Sequence, residues 1–337
     1  MPFINAFKNI NVLVIGEAIL DSYLEGFSDR LCQEAPVPIV TLTHRQNVPG
    51  GAANTALNVR TLGANVRFLS VIGDDLEGNI LRQALLEQGV SQEYILRQRL
   101  RRTLAKHRVI SAGQILVRFD QGSTNAIDLE IEQRLIKDLH KLFPQSDVVI
   151  ISDYGYGILT PNLIEAIANL QQNFPKTLVV DSKNLAAYRK IGVTAVKPNY
   201  QETMRLLGET ELPENQSRIS YILQNRKQIL DITGAKIAAV TLDSDGALIF
   251  AQGNSPYRTF AQPINHANVT GAGDTFISAL ALALASGNSA NVAAEIASMA
   301  AAIVVAKQGT ATCSFAELQQ QLFSNLNKMK KTPLEVA

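Results

Sequence analysis

The 337-residue chain is long enough for one large α/β domain or two modest ones, with ample apolar sequence for a buried core. Its formal net charge of +1 and its lack of an extended basic stripe argue against a nucleic-acid or anionic-membrane partner. The two cysteines lack metal-binding spacing and the N-terminus lacks a signal-peptide pattern, so we expect a cytoplasmic protein with reduced thiols.

Short β-branched and apolar runs recur along the chain, with helical patterns between them. The predicted strands are Asn11–Gly16, Val66–Ile72, Asp147–Ser152, Thr177–Asp181, Ala195–Lys197 and Ile237–Leu242. The predicted helices are Gly50–Leu62, Leu76–Gln88, Asp128–Phe143, Pro161–Asn173, Gln201–Leu207, Ser217–Thr233 and Phe276–Ala285. Strands that alternate with helices at this spacing predict a mostly parallel sheet covered by helices on both faces.

Two segments, at about 20–45 and 97–120, depart from this alternation because charged, strand-like sequence continues there without a long helix. They predict a small antiparallel sheet beside the main one, which either closes over a cleft or pairs two subunits. No linker rich in glycine, serine or proline marks a second domain, so we expect residues 1–337 to form a single domain with an inserted lid. Exposed lid edges favour a homodimer through the lid.

The alanine- and leucine-rich sequence after Asp274 is apolar enough to suggest a membrane span. Ser286–Ser289 divides it into two helices, each too short to cross a bilayer. We therefore expect no membrane partner.

The segment Asn268–Thr275 places two glycines directly before an apolar helical sequence. Gly271 and Gly273 allow a tight turn and expose N–H groups at a helix N-terminus, where anions are stabilised. Asp274 adds a carboxylate to this turn. One interpretation is phosphoryl transfer, with Asp274 accepting the proton of an attacking hydroxyl. The other is a helix start in which Asp274 interacts with the helix dipole, and this segment alone does not separate the two.

Polar residues follow several predicted strands, at the edge where open α/β sheets bind ligands. They are Asp21, Asp153, Asp181, Lys183, Asn199, Glu202 and Asp243. Each residue also suits a helix cap or a turn, but the whole set at one edge indicates a binding site. The chain lacks the G-x-G-x-x-G pattern of dinucleotide-binding folds, the P-loop G-x-x-x-x-G-K-[ST] and the serine-hydrolase G-x-S-x-G.

Three ordered motifs resemble those of the ribokinase/PfkB family of carbohydrate kinases. Gly50–Asn54 (GGAAN) is similar to the first family signature and Asn268–Asp274 (NVTGAGD) to the second. Asn199–Glu202 (NYQE) is similar to the N-x-x-E motif between them. The resemblance implies a ribokinase-like three-layer α/β fold, with a central mostly parallel sheet and a small antiparallel β-lid.

The resemblance implies phosphorylation of a sugar by ATP with Mg²⁺. Asp274 is the expected catalytic base, and the expected anion hole is formed by Gly271, Ala272 and Gly273. Asn199 and Glu202 are expected to organise the ATP phosphates and Mg²⁺ through water. The further expected ATP contacts are Lys183, Tyr200, Gln201, Thr241, Asp243 and Gly246.

The resemblance also assigns the sugar site. Gly50 and Gly51 are expected to let the backbone approach the sugar, and Asp21 and Asn54 to hydrogen-bond its hydroxyls. A missing hydroxyl would leave these buried polar groups unpaired, so they favour selectivity.

Two lid segments narrow the substrate further. Glu34–Val40 (EAPVPIV) and Thr103–Arg108 (TLAKHR) resemble segments of bacterial kinases that phosphorylate the anomeric hydroxyl of D-glycero-D-manno-heptose 7-phosphate, on the route to ADP-heptose. A phosphorylated sugar requires cations, and the resemblance assigns this role to Lys106, Arg108 and Arg118. Each of the three is alternatively a solvated charge on the lid.

The chain also departs from those relatives. Tyr156 stands where they have lysine after a shared Ser-Asp-Tyr, and Glu17 replaces the first acid of a G-D-x-x-L-D pattern. Asn268 replaces the usual aspartate, which argues against activation by a monovalent cation. Many relatives carry a second, nucleotidyltransferase domain; this chain ends soon after its last helix, so we expect a stand-alone kinase that makes the bisphosphate.

Two other functions stay open. Changed lid contacts alone would give another kinase of the family, such as a fructokinase or another sugar-phosphate kinase. A sensor that binds a sugar or a nucleotide without catalysis is the second alternative. The presence of Asp274, Asn199 and Glu202 argues against the sensor, since a sensor does not need a catalytic base.

Overall fold

Two β-sheets organise the fold: a 9-stranded sheet flanked by helices and a 4-stranded sheet beside it. This computed structural model describes residues 2–212, 216–261 and 270–331. The strands are β1 Asn11–Gly16, β2 Ala18–Leu31, β3 Pro38–Gly51, β4 Asn65–Gly73, β5 Ile95–Gln98, β6 Leu104–Ser111, β7 Gln114–Gln121, β8 Val148–Asp153, β9 Thr177–Ser182, β10 Ala195–Val196, β11 Ile237–Thr241, β12 Ala247–Ala251 and β13 Tyr257–Thr259. The helices are α1 Pro2–Asn5, α2 Ala52–Thr61, α3 Leu76–Glu87, α4 Leu129–Leu142, α5 Pro161–Asn173, α6 Tyr200–Leu206, α7 Arg218–Gln224, α8 Arg226–Thr233, α9 Ala272–Ala285, α10 Ala290–Val305 and α11 Phe315–Lys331.

The large sheet has the strand order β13-β12-β11-β10-β9-β8-β1-β4-β5. Its pairs from β10/β11 through to β4/β5 are parallel, while β12 pairs antiparallel with both β11 and β13. Chain order reverses at β1, which lies between β4 and β8. Ligands of open α/β sheets bind at such a reversal, beyond the carboxyl ends of the strands.

Two hydrophobic cores lie on opposite faces of the large sheet. Val12 and Val14 of β1 belong to the core that includes α2, α9 and α10, whereas Leu13 and Ile15 belong to the core that includes α4, α5 and α8. Alternate side chains of a strand point to opposite faces, so a continuously apolar strand fills both cores. The predicted three-layer α/β fold is confirmed.

Most predicted elements lie within one or two residues of their observed bounds. Asn11–Gly16 and Pro161–Asn173 have the predicted limits. The single helix predicted over 217–233 is wrong, because Asn225 separates α7 from α8 with a backbone at φ −93° and ψ 8°. Its side-chain amide donates to the carbonyl oxygen of Tyr221 at 2.9 Å, a local bond of the kind by which asparagine competes with helix continuation.

The small sheet is the predicted lid, with the strand order β3-β2-β6-β7. Its outer pairs are antiparallel, whereas the central pair β2/β6 is parallel, which the sequence did not predict. The first residues of the predicted segment 97–120 belong elsewhere, since β5 pairs with β4 in the large sheet. Strand β1 continues into β2 through Glu17, and β3 leads directly into α2, so the lid is attached at the ligand-binding edge.

Asn268 and Val269, which begin the predicted anion-binding segment, lie outside the described residues. Within the part of the chain that the structure describes, no helix is long and apolar enough to cross a membrane.

Candidate active site

Asp274 lies in the first turn of α9, buried beside α2 and the loop after β8. Its Oδ2 accepts a hydrogen bond from Asn54 Nδ2 at 2.8 Å. Its Oδ1 accepts bonds from the Tyr154 hydroxyl at 3.0 Å and from Thr55 Oγ1 at 3.3 Å. The carboxylate is therefore held by side chains of other elements. A residue that only interacted with the dipole of its own helix would not need these contacts.

The surroundings of Asp274 adjust its acidity in both directions. Burial raises the pKa of Asp274 above its usual value, while the hydrogen bonds from Asn54 and Tyr154 and the charge of Lys197 oppose that rise. Burial and the nearby Asp274 carboxylate raise the pKa of Tyr154 well above its usual value, so its hydroxyl stays protonated and donates. A raised pKa suits a general base, which works best when its pKa approaches the working pH.

The two glycines of the predicted anion hole act differently. Gly271 precedes α9 with a φ of 82°, the left-handed conformation that glycine tolerates, as predicted. Gly273 does not form part of the turn as predicted, because it lies within α9. A Cβ atom on Gly273 would lie 3.4 Å from Lys197 Nζ, in ordinary contact, so the ammonium group lies close beside the helix N-terminus.

Lys197 brings a buried positive charge to this helix N-terminus. It follows β10, and its Nζ lies 3.0 Å from Asp181 Oδ2 at the end of β9. Burial alone lowers the pKa of Lys197, but the carboxylates of Asp181 and Glu202 raise it above its usual value, so the ammonium stays charged. A fixed cation and the unpaired N–H groups of a first helical turn together favour a bound anion.

The Asn199–Glu202 motif forms a complete capping box at the start of α6. Asn199 Oδ1 accepts from the Glu202 N–H at 2.8 Å, and Glu202 Oε2 accepts from the Asn199 N–H at 2.9 Å. The N-x-x-E spacing that suggested a ligand site is thus also the pattern that caps the start of a helix. Both residues nevertheless line the cavity that contains Asp274.

That cavity, which we name the catalytic cavity, has a volume of about 190 Å³. It brings together many of the predicted site residues from separate elements. Its lining consists of Asp153, Tyr154, Asp181, Ser182, Lys183, Lys197, Asn199, Glu202, Gly271, Gly273 and Asp274.

A second cavity of about 730 Å³ adjoins the first at Asn199. Its lining includes the predicted nucleotide contacts Tyr200, Gln201 and Asp243. Thr241 forms an isolated parallel bridge with Asn199, which places the turn after β11 beside the capping box.

The turn after β11 has a strained backbone. Asp243 has a φ of 53° and Gly246 a φ of 86°, and a Cβ atom on Gly246 would lie 2.1 Å from the carbonyl oxygen of Thr259. The Asp243 side chain is largely exposed and lies 3.6 Å from Arg218. The turn therefore sits next to the cavities, while contact with a nucleotide stays a prediction.

The lid contributes a buried ion pair between Asp21 and Arg108, with 2.7 Å between Oδ1 and a guanidinium nitrogen. Asp21 Oδ2 also accepts from Thr310 Oγ1 at 3.2 Å. A Cβ atom on Gly50 would lie 2.3 Å from Asp21 Oδ2, so the glycine makes room for this carboxylate. Gly51 has a φ of 57° and directly precedes α2. Both glycines thus have structural roles, and their approach to a sugar stays a prediction.

Two lysines lie against tyrosine rings at the mouth of the site. Lys106 Nζ lies 5.3 Å from the centre of the Tyr154 ring, and Lys183 Nζ lies 5.8 Å from the same ring and 4.9 Å from that of Tyr156. Arg118 is further out, half exposed and hydrogen-bonded to Asp120. Lys106 and Lys183 thus both lie near Tyr154, whereas Arg118 is engaged by a carboxylate of its own strand.

Residues 9–317 match the pfkB family of carbohydrate kinases. The chain belongs to this family. Its members are phosphotransferases with an alcohol group as acceptor, and this pfkB protein is one. The predicted kinase activity is confirmed at that level.

Curated relatives extend beyond the pfkB region. The bifunctional protein HldE of Desulfatibacillum aliphaticivorans is 38% identical over 319 residues, which cover 95% of this chain and 64% of the relative. The bifunctional protein HldE of Aliarcobacter butzleri is 33% identical over 313 residues, with 93% and 64% covered. The chain therefore spans somewhat under two thirds of the length of these relatives.

Solved structures share the fold at low sequence identity. Phosphofructokinase-2 from Escherichia coli, in complex with potassium, is 22% identical with a TM-score of 0.75, covering 94% of this chain and 99% of that one. Ribokinase from Arabidopsis thaliana, in complex with ribose and ATP, is 21% identical with a TM-score of 0.69, covering 93% and 98%. The predicted ribokinase-like fold is confirmed.

Several residues of the pfkB site were given no role by sequence reasoning, among them Lys197, Tyr154 and Glu17. Lys197 directly precedes the Pro198-Asn199 pair after a strand, and this position was the available signal. Tyr154 belongs to a motif shared with the relatives. Glu17, noted only as a departure, is completely buried and accepts backbone hydrogen bonds from the loop that carries Tyr154.

Proposed function

We propose that this pfkB protein phosphorylates the anomeric hydroxyl of D-glycero-D-manno-heptose 7-phosphate with ATP, giving the 1,7-bisphosphate used in ADP-heptose biosynthesis. The observation that carries the kinase chemistry is the position of Asp274 in a cavity shared with Lys197 and the α9 N-terminus. A base and an anion-binding group in one cavity match a reaction that removes a proton and moves a phosphoryl group.

The chemistry follows from these groups. The acceptor hydroxyl gives its proton to Asp274 while its oxygen bonds to the terminal phosphorus of ATP, and the bond from that phosphorus to ADP breaks. Lys197 and the N–H groups at the start of α9 face the charge carried by the transferred group. Tyr154 and Asn54 hold the Asp274 carboxylate in one orientation, leaving it directed toward the cavity.

The nucleotide phosphates are proposed to occupy the catalytic cavity, whose lining includes Lys183 and Asn199. The Arabidopsis ribokinase structure is a complex with ribose and ATP, which supports ATP as the nucleotide here. The turn from Thr241 to Gly246 adjoins Asn199 and is expected to lie beside the nucleotide.

The residues present fit Mg²⁺ held mainly through water. Glu202 uses Oε2 in the capping box and keeps Oε1, and it lines the cavity together with Asn199. Mg²⁺ is commonly bound by one or two carboxylates and substrate phosphates while keeping several waters. When bound, it would neutralise phosphate charge.

The phosphate of the sugar is proposed to lie near Lys106 and Arg108. Lys106 extends from the lid over the Tyr154 ring, which itself contacts Asp274, so a sugar between lid and base would bring its far end to these cations. Arg108 follows two residues later on the same strand and is buried against Asp21, which is expected to bind the sugar hydroxyls. The segment Glu34–Val40, which resembles the lid of heptose 7-phosphate kinases, supports the choice of sugar.

The test is a substrate panel that measures ATP consumption with heptose 7-phosphate, the same heptose without phosphate, fructose 6-phosphate, fructose and ribose. We expect heptose 7-phosphate to give the highest kcat/KM and the unphosphorylated heptose a much lower value. The Asp274→Asn variant sets the background. Strong turnover of another sugar, with the heptose phosphate at background, would reject this substrate and favour another pfkB sugar kinase.

A further inference from the structure

Helix α2 carries a completely buried asparagine, Asn58, one turn after Asn54. Asn58 Oδ1 accepts hydrogen bonds from Thr275 Oγ1 at 2.8 Å and from the backbone N–H of Cys313 at 3.3 Å. Its Nδ2 donates to the backbone oxygen of Asn54 at 2.9 Å and to Asn54 Oδ1 at 3.2 Å. The side-chain amide therefore connects three separate parts of the chain.

Backbone groups determine which way round the Asn58 amide lies. The N–H of Cys313 can only donate and the carbonyl of Asn54 can only accept. If the amide were turned over, its NH₂ group would face the N–H of Cys313 and its oxygen would face the carbonyl oxygen of Asn54. Neither pair could form a hydrogen bond, so buried polar groups would be left unpaired, which folded proteins avoid. The observed orientation is thus fixed by atoms that cannot exchange roles.

The orientation of the Asn58 amide also determines the orientation of the Asn54 amide. Because Asn58 donates to Asn54 Oδ1, the nitrogen of the Asn54 amide faces the other way, where it donates to Asp274 Oδ2 at 2.8 Å. We propose that Asn58 is a positioning residue for phosphoryl transfer: it holds the Asn54 amide with its N–H group, and not its oxygen, toward Asp274. We name the chain Cys313–Asn58–Asn54–Asp274 the amide relay. The inference rests on the proposed role of Asp274 as the base.

The relay matters because the NH₂ end and the oxygen end of an amide have opposite effects on a carboxylate. A donor at Oδ2 stabilises the ionised Asp274 that accepts the proton, whereas an oxygen at the same place destabilises it. The Asn54 amide also packs against the anion hole, since a Cβ atom on Gly271 would lie 2.8 Å from Asn54 Nδ2. The other titratable groups that act on Asp274 are Tyr154, Lys197, Asp21 and Asp181, which come from other elements.

Two variants of Asn58 separate the relay from simple packing. Asn58→Leu removes the relay without adding charge, and Asn58→Asp presents an acceptor to Asn54. The matched control is Thr61→Val, one turn further along α2, which removes a 2.9 Å bond to the carbonyl of the same Cys313. Asp274→Asn serves as the variant without a base.

Two readouts are needed. The first is kcat/KM against pH with the sugar that the wild-type enzyme turns over. The second requires no substrate: the Asn54 side-chain amide signal in a ¹⁵N spectrum, assigned by its loss in Asn54→Ala, is followed against pH and reports the ionisation of Asp274.

We expect the midpoint of that titration, and the acid limb of kcat/KM, to move to higher pH by about one unit in Asn58→Leu and further in Asn58→Asp. Thr61→Val should keep the wild-type midpoint. A folded Asn58→Leu variant with an unmoved midpoint would overturn the relay. If both Asn58 variants fail to fold, neutron diffraction of the deuterated wild-type protein decides, because an oxygen of Asn54 facing Asp274 rejects the proposal and deuterium there supports it.

The two proposals fail in different ways. Absence of turnover with every sugar of the panel would reject the proposed function, while the substrate-free titration would still show the shift in Asn58→Leu. Turnover that needs Asp274, together with an unmoved midpoint in Asn58→Leu, would reject the relay and leave the proposed function intact.

Discussion

The hydroxyl of Tyr154 donates to Asp274 Oδ1 at 3.0 Å, from a ring that also contacts Lys106 and Lys183. A hydrogen bond to the ionised form of an acid lowers its pKa, so this contact partly offsets the effect of burial on Asp274. The tyrosine thus links the lid to the acidity of the proposed base.

The first prediction concerns Tyr154→Phe. Loss of the hydroxyl should raise the pKa of Asp274, so the acid limb of kcat/KM should move to higher pH by about one unit while the plateau changes less. The matched control is Tyr156→Phe, which removes the hydroxyl of the stacked neighbour and leaves the bond to Asp274 in place. Equal pH profiles for wild type and Tyr154→Phe would contradict the prediction.

The second prediction concerns Asp274→Asn, which keeps the shape of the side chain and removes the base. We expect kcat to fall by roughly 10²–10⁴-fold, the usual contribution of a general base, with little change in the affinity for ATP. Steady-state kinetics and equilibrium nucleotide binding measure the two quantities. Turnover near the wild-type value would show that another group accepts the proton.

The sequence predicted the parts of the site that are contiguous. The helix start at Gly271, the base Asp274 and the capping box from Asn199 to Glu202 are each encoded within a few residues, so local patterns predict them. The N-x-x-E spacing was ambiguous, because a capping box needs the same residues as the expected ligand site.

The rest of the site depends on contacts that no local pattern encodes. Asn54, Tyr154 and Lys197 reach Asp274 from α2, the loop after β8 and the end of β10, and only the strand order brings them together. Gly273 shows the same limit, since the neighbour that a Cβ atom there would contact, Lys197, comes from a distant part of the chain.

The third prediction concerns the ion pair between the buried Lys197 and Asp181, whose side chain is 20% exposed. Lys197→Met should leave the partly buried Asp181 without its partner and destabilise the protein by less than the roughly 3–5 kcal/mol expected for a fully buried pair. The double variant Lys197→Met/Asp181→Asn should regain much of the free energy of unfolding but little of the activity, since the cation beside the helix N-terminus stays absent. Denaturant unfolding and kcat/KM measure these effects. Recovered activity in the double variant would exclude a role for this cation in phosphoryl transfer.

The fourth prediction concerns Glu17, whose carboxylate accepts hydrogen bonds from the backbone N–H groups of Tyr154, Tyr156 and Ile158. Burial is the largest cause that raises the pKa of Glu17 from 4.5 to about 7, and the charge of Asp153 is the second. The folded state thus binds the proton more tightly than the unfolded state, so this group favours folding below about pH 4.5 and loses that contribution as pH rises to about 7.

The Glu17→Gln variant, which does not titrate, provides the comparison. As pH rises from about 4.5 to about 7, the free energy of unfolding of the wild type should fall by roughly 3 kcal/mol relative to that of the variant. Above about pH 7 the difference between the two proteins should be constant. Urea unfolding at several pH values measures it. A difference that does not vary with pH would show that Glu17 ionises normally.

The last prediction concerns the lid, which exposes large apolar side chains such as Phe27, Leu42 and Val117. Exposed apolar strand surface is commonly covered by a partner, so we expect a homodimer through the lid. Light scattering after gel filtration should give twice the mass of one chain for the wild type and the mass of one chain for Val117→Glu. Leu100→Glu is the matched control, since Leu100 is 93% exposed but outside the lid strands. A wild-type monomer, or dissociation by Leu100→Glu as well, would contradict pairing through the lid.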